Sequence, residues 1–450
     1  MLGPRLIVAG TRSGAGKTTV ATGLMAALRQ RGCAVAGAKA GPDFIDPGYH
    51  AIATGRPARN LDLWMSGADL IAPLAARAGF GAEVLIVEGV MGLFDGAADG
   101  TPTSTAEVAK LLDAPVVLVV DAASMSQSVA ALVHGFRTWD PAVRVAGVIL
   151  NLVGSDNHEA MLRAALAASG VPVYGVLRRD DAMRWRSRHL GLQPVAEDPS
   201  GVGTSLDRLA ATIASGCDLD GLIRLARSAP ALAPGMLPEP RRVTDGRSSP
   251  RIAVAAGPAF SFCYQDNLEV LAAAGAEMVA FDPCLDEALP DRTAAVLAGG
   301  GFPEVFAETL SANVSMLAAV SDHHRRGGVI WAECGGLLWL SRDLDGSPMA
   351  GVVEAAATMD GGRVLGYRAA TTTMPSPLGP TGTVVRGHEF HYSSTDPGGD
   401  ALLLTGRHGT SRGGFAGPGL LASYLHAHLA AYPCLAEAFV SAAVRAPVAT

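Results

Sequence analysis

Two stretches of this chain place reactive side chains where chemistry is expected. Residues 8–19, "VAGTRSGAGKTT", run from an apolar strand into a glycine-rich turn that ends in Lys17, Thr18 and Thr19. Small residues at Gly14, Ala15 and Gly16 let backbone N–H groups converge on an anion, and the following helix adds the positive end of its dipole. A polyphosphate fits such a turn, with Lys17 reaching the outer phosphates and Thr18 a Mg²⁺ ion. The spacing departs slightly from GxxxxGK[ST], because Gly10 stands one residue early and Thr11 holds the place of the expected glycine. The alternative is a plain strand-to-helix turn, against which every part of the phosphate loop occurs in order. Residues 327–340, "GGVIWAECGGLLWL", read as an apolar strand, a sharp turn at Cys334, two glycines and an apolar helix. That is the layout of a nucleophile elbow with Cys in place of Ser, and the N–H groups after the thiol can stabilise an oxyanion. Downstream, "LLASYLHAHLA" sets His426 and His428 at a strand end, where one of them can take the thiol proton. A buried structural cysteine is the alternative there.

Acids gather near the phosphate loop. "LIVEGVMGLFDG", residues 85–96, ends an apolar strand in Glu88 and runs on to Asp95, so a carboxylate emerges where a Mg²⁺ ligand belongs. An acid closing a "VLIV" run needs a partner. "AKAGPDFIDPGYH", residues 38–50, carries Lys39, Asp43, Asp46 and His50, and its Gly and Pro content predicts a loop rather than a helix. For Asp46 and Asp95 the alternative is a cap or turn former.

These residues need a scaffold that brings strand ends together. From residue 5 to about 178, apolar runs alternate with stretches long enough for helices: "RLIVAG", "AVAGAKA", "EVLIVEG", "APVVLVVDA", "RVAGVILN" and "VPVYGVL". Repeated βα winding gives a parallel sheet, which binds ligands at the carboxyl ends of its strands. Residues 228–250 hold five prolines and no periodicity, as a linker does, so the chain divides into 1–227, the linker 228–250, and a second α/β unit over 251–450. Its strands are "RIAVAAG", "AEMVAF", "AAVLAGGG" and "GVIWAEC", with a more antiparallel region from about 351 to 424. A chain of 450 residues suits such a division, and aromatics at 5% against abundant aliphatics suit buried parallel strands under Ala-rich helices. The net charge of −7 argues against nucleic-acid affinity, and no apolar run is long enough to span a membrane. Six scattered cysteines without a CxxC pair, and an N-terminus without signal-peptide layout, predict a cytoplasmic enzyme with free thiols.

In order along the chain stand "GTRSGAGKTT", "KAGPDFIDPGYH", "NLDLWM", "VEGVMGLFDG", "GVILN", "RHLGL", "DNLEVL", "GGGFPE", "AECGG", "RGHEFHYS" and "SYLHAH". Together they resemble the cobyrinic or hydrogenobyrinic acid a,c-diamide synthases of cobalamin biosynthesis. The resemblance spans nearly the whole chain and implies a dethiobiotin-synthetase-like ATP domain followed by a class I glutamine amidotransferase domain. It implies that Cys334 attacks the glutamine side-chain amide, that His426 serves as acid and base, and that Gly300 or Gly301 supplies an oxyanion N–H beside that of Gly335. ATP would be held by Thr11, Gly14, Ala15, Gly16, Lys17, Thr18, Thr19 and Asn151, with Thr18, Glu88 and Asp62 around Mg²⁺. Lys39, Asp43, Asp46 and Asp95 would serve substrate activation. The substrates implied are ATP, L-glutamine and hydrogenobyrinic or cobyrinic acid. Each carboxylate would be phosphorylated and then displaced by ammonia passed internally. A homodimer is compatible with the resemblance.

The third member of the amidotransferase site stays open. Class I enzymes usually place Glu two residues after the His, where this chain has His428, and Glu333 and Glu389 are nearby only in sequence. A polycarboxylate substrate also needs cations. "RRDDAMRWRSR", residues 178–188, offers five arginines, Arg186 and Arg188 among them, whose forks suit carboxylates; a solvated helix face is the alternative. Rival functions remain, among them a plain dethiobiotin-like carboxylating ligase, which would lack the second unit. Cobyric acid synthases share the layout but not "GPDFIDP", and a partitioning-type ATPase shares the first unit but has no use for Cys334 and His426.

Overall fold

The structure is a computed structural model that describes residues 1–97, 100–180, 187–188, 191–244 and 249–447. The chain forms two compact units, Met1–Leu237 and Pro238–Thr450, divided inside the proline-rich stretch. No helix among the described residues is long and apolar enough to cross a membrane.

The first unit is built on seven parallel strands: β1 (Arg5–Gly10), β2 (Val35–Ala40), β3 (Arg59–Leu61), β4 (Val84–Glu88), β5 (Val116–Asp121), β6 (Val145–Val153) and β7 (Val173–Arg178). Their order is β3-β2-β4-β1-β5-β6-β7. The apolar runs predict all of these except β3, whose "RNL" offers no hydrophobic signal. Because β4 lies between β2 and β1, its last residue, Glu88, pairs in register with Lys39 on one side and Val8 on the other. The helix after β1, α1 (Lys17–Gln30), starts directly above this row of strand ends. One expectation fails here. The stretch after Lys39 is not a loop throughout: α2 spans Ile45–Thr54. Pro47 is the third helical residue, and in the first turn its missing N–H has no intrahelical partner to lose. Asp46 and His50 consequently sit four apart, on one face of one helix.

In the second unit a six-stranded sheet runs in the order Glu277–Phe281, Arg251–Ala255, Thr293–Ala298, Val329–Glu333, Leu420–Ser423, Phe415–Gly417, the last pair antiparallel. The central strand Val329–Glu333 sends Ile330 and Ala332 into one core layer and Trp331 into the other. Side chains alternate across a strand, so Glu333 leaves on the Trp331 side. A five-stranded antiparallel sheet from Val364 to Ala427 then lays His388 opposite His426.

Candidate active sites

The phosphate loop has the geometry its sequence predicts, with two revisions. Gly14 and Gly16 adopt φ of 76° and 94°, which a side chain at either place would strain. A Cβ on Gly10 would stand 2.9 Å from the Lys17 side chain, so the early glycine is the seat of the Lys17 stem. Lys17 Nζ donates to the Arg12 carbonyl at 3.3 Å, curled back over the loop. The first revision is Thr11, whose N–H donates to the Val119 carbonyl at 3.3 Å and so continues the sheet instead of offering its amide to an anion. The second is Asn151, whose Nδ2 donates to the Ala15 carbonyl at 3.1 Å. It buttresses the loop: a Cβ on Gly16 would stand 2.2 Å from that nitrogen. Ala15 is buried, and Thr19 follows Thr18 in the first turn of α1.

Below the loop lies a buried charge cluster. Glu88 Oε1 accepts from Thr18 Oγ1 at 2.6 Å and from Lys39 Nζ at 2.8 Å, and its Oε2 stands 2.7 Å from His50 Nε2. Lys39 Nζ also stands 2.6 Å from Asp46 Oδ2 and donates to the Gly89 carbonyl at 3.0 Å. Burial by itself would push the Glu88 carboxyl upward, but Lys39 and His50 outweigh it and hold Glu88 well below the usual carboxylate range. Asp46 goes the other way: burial, Asp43 and Glu88 raise it, and the Lys39 contact offsets only part. Burial also works against the Lys39 ammonium, yet Asp46 and Glu88 together keep it firmly protonated. Lys17 is lowered by burial and by the nearby Lys39 charge, against the pull of Glu88, Asp46 and Asp95.

The remaining acids divide by duty. Asp43 Oδ1 accepts from the Ile45 and Asp46 N–H groups at 2.7 and 3.0 Å and so starts α2. Asp95 Oδ2 accepts from the Gly92 N–H at 2.8 Å, which closes a turn. Asp62 caps the short helix Leu63–Ser66 by accepting from the Met65 N–H at 2.8 Å. The oxygens that meet are those of Thr18, Glu88 and Asp46. Mg²⁺ prefers a hydroxyl, one or two carboxylates and phosphate oxygens, so this donor set fits it. No group of three or more His, Cys, Asp or Glu among the described residues is arranged to hold a metal alone, and such a site needs none. Arg186 lies outside the described residues, and Arg188 is placed only as the end of the short strand Ser187–Arg188.

The second site is a nucleophile elbow in geometry as well as in sequence. Cys334 takes φ 48° and ψ −101°, a backbone conformation costly for a non-glycine residue, between the strand Val329–Glu333 and the helix Gly335–Leu340. Its N–H is anchored on the Ser423 carbonyl at 2.7 Å. His426 hydrogen-bonds to Cys334, and its Nδ1 stands 3.3 Å from Glu333 Oε2. Glu333 Oε1 accepts from the Ala427 N–H at 3.1 Å. Burial disfavours the imidazolium, but Cys334 and Glu333 reverse the balance and raise His426 to about 10. Buried Asn267, from "DNLEVL", clamps the segment: its Nδ2 donates to the Ala427 carbonyl at 2.8 Å and its Oδ1 accepts from the Leu429 N–H at 2.7 Å. Residue type alone gave no sign of that clamp.

The glycines opposite the thiol separate into two kinds. Gly300 exchanges backbone hydrogen bonds with Phe262, both at 3.0 Å, so its N–H is committed and it is withdrawn as an oxyanion donor. Its role is steric, since a Cβ there would stand 2.6 Å from His426 Cε1. A Cβ on Gly335 would stand 3.0 Å from the Gly301 amide nitrogen, so the Gly301 and Gly335 peptides lie side by side. A side chain on Gly301 would strike the Ala259 carbonyl at 2.0 Å.

Both units match known families. Residues 6–192 match the CobQ/CobB/MinD/ParA nucleotide binding domain, and residues 251–433 match the CobB/CobQ-like glutamine amidotransferase domain. Over 97% of each chain the sequence is 51% identical to a hydrogenobyrinate a,c-diamide synthase of Streptomyces coelicolor. The chain belongs to the a,c-diamide synthase family. A second hydrogenobyrinate a,c-diamide synthase, of Thermobifida fusca, is 46% identical over 98% of this chain and 96% of its own. A cobyrinate a,c-diamide synthase of Syntrophotalea carbinolica is 43% identical over 97% of this chain and 98% of its own. The first match is shared by its description with MinD/ParA-type proteins, whereas the second is an amidotransferase domain. The protein is therefore a nucleotide-binding, glutamine-hydrolysing ligase that forms amide bonds.

Proposed function

We propose that the enzyme amidates the a and c acetate carboxylates of hydrogenobyrinic acid, with ATP as activator and glutamine as nitrogen donor. One observation carries the reading: a phosphate loop set over Lys39, Asp46 and Glu88, and a Cys334–His426 site, occur in one chain that is alike over its full length to named a,c-diamide synthases. Higher identity to the hydrogenobyrinate enzymes than to the cobyrinate enzyme supports the metal-free substrate.

The chemistry follows from the groups present. A carboxylate is a poor electrophile until one of its oxygens becomes a leaving group, so the terminal phosphoryl of ATP is transferred to it, giving an acyl phosphate and ADP. Lys17 and the loop amides bind the transferring phosphoryl, and their positive charge is worth most at the transition state. Mg²⁺, held by Thr18 and Glu88 with Asp46 nearby, would neutralise phosphate charge. In the second unit the Cys334 thiolate attacks the glutamine amide carbon, and the Gly301 and Gly335 N–H groups face the oxyanion. The carbon–nitrogen bond breaks as His426 hands its proton to the leaving nitrogen, releasing ammonia and leaving a thioester. Water, deprotonated by His426, then releases glutamate. Ammonia displaces phosphate from the acyl phosphate and forms the amide.

Asp46 cannot attract a carboxylate substrate, because its own acid already neutralises Lys39. Its replacement by Asn should unbalance the pair and lower amidation at saturating ATP about tenfold or more, with monoamide accumulating and glutaminase intact. Product masses over time read this, and a wild-type diamide yield would return Asp46 to the start of α2 as a structural residue. The function itself is tested by incubating the purified protein with ATP, Mg²⁺, glutamine and either hydrogenobyrinic or cobyrinic acid. A diamide forming faster from the metal-free acid is expected; more than two amides, or none, would overturn the reading.

A further inference from the structure

The position where class I amidotransferases usually carry their acid holds His428, and His428 is engaged elsewhere. It is fully buried, with Nε2 3.6 Å from Asp266 Oδ2 and its ring 5.0 Å from that of Tyr264. The acid that reaches His426 comes from another part of the chain, the residue immediately before the nucleophile. We infer that Glu333 is the third member of the Cys334–His426 site, a positioning residue that fixes His426 through Nδ1 and balances the imidazolium charge.

Four observations support this. Glu333 is 3% exposed, and a carboxyl buried that deeply needs polar partners. Its two oxygens take the His426 ring and the following peptide N–H, at 3.3 and 3.1 Å, so one side chain sets both ring and backbone of the histidine. With Nδ1 given to Glu333, the nitrogen left for Cys334 is Nε2, the tautomer a proton shuttle requires. Strand alternation sends Glu333 to the face on which Trp331 and Leu425 pack, next to the His426 segment. The other ionisable groups facing His426 do not do this work. His388 stacks on it at 5.0 Å and is driven well below its ordinary pKa by burial and by the His426 charge, so it stays neutral. Glu389 is raised by burial and is ion-paired at 2.7 Å with Arg368, and burial lowers His391 to about 4. Cys334 is the reacting group itself. Acid and nucleophile are then consecutive residues, and the site needs only two chain segments, 333–334 and 426.

The step this residue supports is the collapse of the tetrahedral intermediate. The proton on His426 Nε2 moves to the leaving nitrogen while the carbon–nitrogen bond breaks, and Glu333 neither gains nor loses a proton. His426 must therefore be protonated at that moment. Removing the anionic partner lowers its affinity for the proton, so the alkaline limb of the pH profile moves to lower pH.

The inference rests on the glutaminase reading of this unit, and the test separates the two. In Glu333→Gln, glutamine hydrolysis should fall about 100-fold or more in kcat with KM changed about twofold at most, and the alkaline limb should move down by about one pH unit or more. Amidation with ammonium salt should be unchanged, and Glu333→Asp, which keeps the charge, should restore the wild-type limb with part of the rate. An unmoved limb in Glu333→Gln would overturn the inference. Should that variant also lose ammonium-dependent amidation through misfolding, Glu333→Asp decides: a wild-type limb upholds the role, and loss with both donors overturns it. A wild-type enzyme that hydrolyses no glutamine would defeat the parent reading instead.

Discussion

Replacing Cys334 by Ala should abolish amidation from glutamine, by about four orders of magnitude or to the detection limit, while amidation from ammonium salt continues at the wild-type rate. In the proposed reaction the thiol liberates nitrogen and takes no part in activating the carboxylate. The chemistry proposed for it is confined to the elbow at φ 48°, to His426 and Glu333, and to the Gly301 and Gly335 peptides. Ammonia added from solution bypasses all of these groups. The comparison should be run at alkaline pH, where more of the added ammonium is unprotonated. A variant dead with both donors would make Cys334 a structural residue of the central sheet.

Lys17→Ala and Glu88→Gln should behave in the opposite way, losing amidation about 10²- to 10⁴-fold with either donor and retaining glutaminase. In the proposed reaction Lys17 carries the charge that meets the transferring phosphoryl. Glu88 does more than present an oxygen: it holds Thr18 at 2.6 Å, Lys39 at 2.8 Å and His50 at 2.7 Å. A neutral amide in its place leaves the buried Lys39 with one acid instead of two, and breaking a buried pair costs about 3–5 kcal/mol. Glu88→Gln should therefore also melt at a lower temperature, whereas Lys17→Ala, whose ammonium donates to the Arg12 backbone carbonyl, should melt closer to wild type. Normal turnover in Glu88→Gln would remove that residue from the phosphoryl site.

What could be read from the residues alone follows their physics. Apolar runs announce most of the buried parallel strands because both faces of such strands are covered; Arg59–Leu61, short and polar, escapes that signal, and Leu420–Ser423, expected within an antiparallel region, pairs parallel with Val329–Glu333. The helix at Ile45–Thr54 is hidden by Pro47, since proline is a breaker everywhere except in a first turn. The candidate residues Lys17, Thr18 and Cys334 stand out because their neighbours in sequence build the turns that hold them, at the start of α1 and at the elbow before Gly335. Glu333 stands in a motif too, but its partner lies 93 residues away, and only the pairing of strands brings them together. The same holds for Asn267, which acts through the backbone of residues 427 and 429. Gly300 misleads for a related reason: its N–H is taken by Phe262 across an isolated bridge that no local pattern signals.

The central claim is that the two sites serve one reaction, with glutamine nitrogen entering a carboxylate activated by ATP. It is tested most directly by supplying glutamine labelled at its side-chain amide nitrogen, with ATP, Mg²⁺ and hydrogenobyrinic acid, and following label, ADP and glutamate together. The account predicts label at both new amides and two ADP and two glutamate per diamide. Glutamine hydrolysis that proceeds without label reaching the tetrapyrrole, or amidation without ADP formation, would contradict it.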